Sequence, residues 1–100
     1  MSGPIMIEDL AKGEIDVALL WGPIAGYYAK THGDQLTVTP LVKEAKDARM
    51  DFYITMGVRP NEIEWKRQVD KLIKDNRDKI VAILKDYGIP LLDAQGQPLP

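Results

Sequence analysis

"IDVALLWGPIAGYY", residues 15–28, is the stretch on which the fold reading turns. From Ile15 to Trp21 it is apolar at both alternating sets of positions apart from Asp16, the pattern of a strand covered on both faces in a parallel or mixed sheet. Gly22 and Pro23 then fit an N-cap and a first helical position, so Ile24 to His32 reads as a short helix stopped at Gly33. Trp21 therefore stands at the end of an expected strand, beside a helix start, and that position needs a reason.

Working outward, Pro4 opens a helix whose apolar residues Met6, Ile7, Leu10 and Ala11 fall at helical spacing, with Lys12-Gly13 as its stop. Leu36 to Val42 is rich in β-branched residues and reads as a strand, with Pro40 marking an edge, a bend or an end. The polar residues 43–50 form a connection. Asp51 to Val58 alternates Phe52, Ile54, Met56 and Val58 against Tyr53, Thr55 and Gly57, a further expected strand. Pro60 and Asn61 introduce a long helical stretch whose apolar stripe runs through Trp65, Val69, Leu72, Ile73, Ile80, Ile83, Leu84 and Tyr87. The stripe lapses between Lys74 and Asp78, which splits it into two helices with Asp75 or Asn76 as the second N-cap. Gly88 stops the second helix, and the proline-punctuated tail 89–100 is expected to lie extended over the surface. The expected class is α/β, about three strands with flanking helices.

Thirteen Lys and Arg against fifteen Asp and Glu leave a net charge of −2, spread along the chain. No basic face offers itself to nucleic acid or to an anionic membrane surface, and no apolar run approaches the length of a membrane span. The start lacks the basic region and long apolar stretch of a signal peptide. With no cysteine in the chain, disulfides, thiolate nucleophiles and cysteine metal ligands drop out together.

The inventory for catalysis is thin. His32 is the one histidine, at the end of an expected helix, where its cationic form complements the helix dipole. Asp16 and Asp51 each begin an expected strand and form an imaginable carboxylate pair, although such carboxylates more often meet solvent or turn amides. No phosphate-cradling glycine motif and no calcium loop occurs, and nothing calls for a cofactor or a metal. Trp21, Gly22, Pro23 and Tyr27 are the candidate ligand- or partner-binding residues. In open α/β sheets ligands sit at the carboxyl ends of strands beside helix N-termini, and here an indole would supply a wall and the helix start a set of free N–H donors. The simpler reading of Trp21 is a cap over the core. Adjacent Tyr27 and Tyr28 diverge on a helix, so one is expected inside and one exposed or at an interface. Trp65 and Tyr87 are most simply core.

The stretch "KGEIDVALLWGPIAGYYAK" resembles a segment of periplasmic solute-binding proteins of the amino-acid-binding type, with Gly13, Ile15, Asp16, Pro23 and Tyr27 matching the pattern. "IDVALLWGPIAGYYAK", "RMDFYITMGVRP" and "ILKDYGIPLLD" together resemble, more specifically, the periplasmic J-type (MxaJ/XoxJ) family encoded beside PQQ-dependent methanol dehydrogenases. The resemblance implies a bilobed binding-protein fold, with residues 1–42 as a second-lobe-like portion and 51–100 as the returning strand and terminal helices of the first lobe. It implies a periplasmic, non-catalytic accessory protein that supports or activates a PQQ (quinoprotein) methanol or alcohol dehydrogenase in methylotrophy. The alternative on the same fold is a substrate-binding component of an ABC transporter that captures a small solute. The family chain is much longer, so the hundred residues correspond to its C-terminal part, a truncated fragment. In amino-acid-binding relatives the position of Trp21 commonly carries an aspartate for the ligand's ammonium group, which an indole cannot replace. Apolar faces that pack against absent elements would then be covered in a homo-oligomer, a dimer or an exchanged assembly.

Overall fold

The computed structural model describes residues 3–41 and 50–100. Its elements in chain order are α1 (Gly3–Lys12), α2 (Gly22–Thr31), a 3₁₀ turn (Gly33–Gln35), α3 (Ile63–Asp75) and α4 (Arg77–Asp86). The expected α/β class is overturned: among the described residues there is no strand and no sheet, only an isolated antiparallel bridge between Leu92 and Pro98.

The helices form where local chemistry dictates them. Gly13 takes φ +80°, open to a residue without Cβ, while its N–H donates to Leu10 O at 3.1 Å and Glu14 N–H to Asp9 O at 2.9 Å. That pair of bonds is a Schellman closure, which satisfies carbonyls that the end of α1 leaves orphaned. The end of α4 repeats it, with Gly88 N–H to Lys85 O and Ile89 N–H to Leu84 O at φ +76°. Asn61 sits at φ +67° ahead of α3, a conformation that a short amide side chain tolerates. The break in the apolar stripe is a real junction, because Asn76 separates α3 from α4. Its side chain works differently from an N-cap: Nδ2 donates backward to Leu72 O at 2.8 Å, closing α3, and no side chain caps α4.

The segments expected as strands fail for a reason that lies outside them. Ile15 to Trp21 and Asp51 to Val58 have strand composition, but a strand is stable only when neighbours complete its hydrogen bonds and bury its faces. Among the described residues neither is part of a sheet. Val17 is 82 % exposed, Leu19 70 %, Ile54 82 % and Phe52 63 %. Leu36 to Leu41 is likewise without strand pairing, and Val42 with residues 43–49 of the expected connection lies outside the described residues.

Burial is correspondingly slight. Ile7, Ala29 and Val69 are the buried hydrophobic residues among those described. Ile7 and Ala29 lie in α1 and α2, which pack together, with Gly3 close against Ile24. Val69 sits in α3, which packs on α4. Trp65 and Tyr87, expected in the core, are about half exposed. The apolar stripe therefore describes a face that is fully buried only at Val69 and half-buried at Ile73 and Leu84. The radius of gyration is 16.6 Å, against about 13 Å for a compact hundred-residue domain.

The exposed face of α3 carries ion pairs at helical spacing: Lys66–Asp70 at 3.0 Å, Arg67–Glu64 at 2.9 Å and Lys71–Asp75 at 2.6 Å. Their side chains are more than half exposed, so water screens them and each contributes only a few tenths of a kcal/mol. Asp70→Asn is expected to change stability by less than about 0.5 kcal/mol in a urea titration; a larger loss would show that these pairs hold α3 together.

The tail folds back instead of running extended. Asp93 Oδ1 accepts from Gln95 N–H and Gln97 N–H, both at 2.9 Å, and Asp93 N–H donates to Gln97 O at 2.8 Å. A second rung, Leu99 N–H to Leu91 O at 2.9 Å, ties the returning arm to the outgoing one. An aspartate that binds its own backbone two and four residues on is the usual device for a tight turn.

Candidate functional site

Trp21 caps α2. Its backbone (φ −59°, ψ 132°) is extended, and its carbonyl accepts the Ala25 N–H at 3.0 Å, which begins the helix. An indole has one donor and no acceptor, so it cannot satisfy the first-turn amides as an aspartate or serine would, and no side chain caps α2. Pro23, without an N–H, removes one of those orphan donors. The indole is 60 % exposed. This corrects the reading of Trp21 as a core cap and also its place at the mouth of a sheet, since there is no sheet. What remains is an exposed aromatic at the head of a helix.

Gly22 faces the tail. A Cβ built there would meet the Pro90 ring at 3.5 Å, an ordinary contact. One turn on, Gly26 is buried and its backbone lies directly against Gly88, where a Cβ on either glycine collides with the other's carbonyl oxygen. Tyr27 follows, 43 % exposed, with its ring 6.0 Å from Tyr87 and 5.2 Å edge-on from Tyr28. Both tyrosines of the pair thus stand at the surface or half-buried, in contact with each other. Lys30 completes the set: its Nζ donates to the Asp86 carbonyl and lies 3.8 Å from the Asp86 carboxylate. The side of α2 bearing Gly22, Gly26 and Lys30 is therefore clasped to the end of α4 and the tail.

Of the four candidate residues, the structure places Gly22 at this clasp, Tyr27 at its aromatic edge, and Trp21 and Pro23 at the helix head beside it. The clasp was not foreseen. Its one sequence signal was a glycine inside a helix, which costs about 1 kcal/mol relative to alanine and usually has a packing reason.

A second concave feature was also missed. An open cleft of about 370 Å³ lies between residues of the 36–41 segment and the tail, lined by Val38, Pro40, Ile89, Pro90, Leu91 and Leu99 among others. Lys85 supplies the charged side chain in its lining.

The remaining candidates are accounted for more simply. His32 caps the end of α2, with Nδ1 2.8 Å from Tyr28 O, a carbonyl that can only accept; Thr31 Oγ1 donates to the same oxygen at 2.7 Å. This fits a helix-terminal histidine. Asp16 is exposed in a bend and Asp51 is half-buried. No group of three or more His, Cys, Asp or Glu among the described residues is placed to hold a metal ion. No helix among them is long and apolar enough to cross a membrane.

The chain is similar to Protein MoxJ of Methylorubrum extorquens, with 32 % identity over 92 residues. The aligned part is 87 % of this chain and 31 % of MoxJ, so the chain spans about a third of that relative's length. No family model matches the sequence. No solved structure matches it either.

Proposed function

We propose that this chain is a non-catalytic, periplasmic accessory protein of methanol oxidation that docks on a PQQ-dependent methanol or related alcohol dehydrogenase. The observation that carries the reading is the similarity to MoxJ over nearly all of the chain, the same region that resembles the J-type proteins encoded beside such dehydrogenases. The two portions, 1–42 and 51–100, act in this reading as one unit joined at the clasp. The docking element is the head of α2. Trp21 is large and largely exposed, a type of residue that dominates protein interfaces when a partner desolvates it. Pro23 and Tyr27 follow it on α2.

A binding experiment with the hundred-residue chain and a purified PQQ-dependent methanol dehydrogenase at low salt tests this. The chain is expected to be retained on the dehydrogenase, and Trp21→Ala to weaken retention by about tenfold or more. Absence of retention for the unaltered chain overturns the accessory reading. Retention that Trp21→Ala leaves unchanged moves the contact away from the head of α2.

A further inference from the structure

Tyr27 and Tyr87 stand where the two sides of the clasp meet. Tyr27 follows Gly26 within α2, and Tyr87, the C-cap of α4, lies between Asp86 and Gly88. The close approach of Gly26 to Gly88 and the Lys30–Asp86 pair therefore hold both tyrosines through their chain neighbours. The two rings reach each other from different helices, with centroids 6.0 Å apart and planes tilted by 30°. Both are open to water, Tyr27 at 43 % and Tyr87 at 55 %. Exposed side chains change rotamer in picoseconds to nanoseconds, so the rings can close on each other by torsion alone while the backbone stays clasped. Tyr28 is nearer to Tyr27, with centroids 5.2 Å apart, but its ring is edge-on at 77°. Adjacent side chains also leave a helix about 100° apart, so a bond between those two rings would have to distort α2.

We propose that Tyr27 and Tyr87 form an oxidative cross-linking site, at which a one-electron oxidant of the haem-peroxidase class, supplied with hydrogen peroxide, joins them as dityrosine. Each phenol gives up one electron and its hydroxyl proton. The two phenoxyl radicals couple through an ortho carbon of each ring, and the hydrogen on each of those carbons moves to the neighbouring phenol oxygen, which restores both aromatic rings. One carbon–carbon bond forms with a net loss of two electrons and two protons, and one hydrogen peroxide accepts them and leaves as two waters. Held side by side, the rings couple within one chain far more readily than two separate chains meet in solution. The new bond ties α2 to the end of α4 and locks the clasp, restricting the unfolded chain in the way a disulfide does. The sequence has no cysteine, so no disulfide can supply that restraint. The site does not depend on the dehydrogenase reading.

Treatment of the hundred-residue chain at micromolar concentration with a haem peroxidase and hydrogen peroxide tests the proposal, read by dityrosine fluorescence, intact mass and peptide fragmentation. The expected product is a monomer lighter by two hydrogens, with Tyr27 joined to Tyr87 and a thermal midpoint raised by about 10 °C or more. Tyr87→Phe keeps the ring and removes the phenol, and is expected to lower the internal dityrosine yield by about tenfold or more. Tyr53→Phe, outside both ring contacts, is expected to leave that yield unchanged. An internal yield that survives Tyr87→Phe, one that is equal in denaturing urea, a link to Tyr28 or Tyr53 in its place, or no internal link at all would each overturn the site. A cross-linked monomer whose midpoint is not raised would overturn the lock.

Discussion

Gly26→Ala is expected to open the clasp and lower stability by about 2 kcal/mol or more, although alanine is the better helix former. Two effects oppose each other. Replacing glycine inside α2 gains about 1 kcal/mol of helix propensity. Against it, the new Cβ falls far inside van der Waals contact with Gly88 O and lies 2.9 Å from the Gly88 carbonyl carbon and 3.0 Å from Pro90 Cδ. All three obstacles are backbone or proline ring, so no flexible side chain can swing aside. Gly88 is itself held at φ +76° by the Schellman closure, which leaves it little freedom to retreat. The helix must lift off the tail, and the Tyr27–Tyr87 contact and the Lys30–Asp86 pair go with it. Thermal unfolding followed by circular dichroism should show a lower midpoint, with faster amide exchange at Gly88 and Ile89. Gly22→Ala is the control, since its Cβ meets only the Pro90 ring at 3.5 Å, an ordinary contact. An unchanged midpoint in Gly26→Ala would mean that α2 and the tail are not clasped.

Ile7→Ala is the second large effect. Ile7 is 4 % exposed and is the buried residue of α1, so truncation removes most of what docks that helix on α2. The loss is expected at about 2 kcal/mol, near the lower end for buried aliphatic truncations, because so open a packing can partly collapse. Ile5→Ala, at a half-exposed site on the same helix, should cost less than about 0.5 kcal/mol. Urea titrations of both variants check the contrast, and equal effects would show that Ile7 is not what binds α1 to α2.

The helices were legible in the sequence because their signals are local. Gly13 and Gly88 adopt the positive φ that ends α1 and α4, Pro23 stands in the first turn of α2, and Asn76 marks the α3–α4 junction as expected. The strands were misread because apolar alternation reports an appetite for a neighbour, not the neighbour itself. Val17, Leu19, Ile54 and Met56 show that appetite and remain exposed. The same gap explains Trp65 and Tyr87: a helical stripe says which face is apolar, and tertiary partners decide whether it is buried. Around the candidate site the helix start beside Pro23 was legible, but the N-cap is Trp21 where Gly22 was expected, and there is no strand end or sheet mouth beside it among the described residues. The clasp was out of reach of sequence patterning, since its partners stand in different helices and nothing local marks Gly26 as a neighbour of Gly88.

That clasp also orders the events of folding. The α1–α2 and α3–α4 pairs each join consecutive helices and can close over short stretches of chain, on the fast side of the contact-order relation. Lys30 and Asp86 are separated by 56 residues. Bringing them together carries the loop-closure entropy of that whole span before any contact is returned. Two local helix pairs are therefore expected to form early and their union to come last, so the step that completes the molecule is also the first expected to be undone when it loosens.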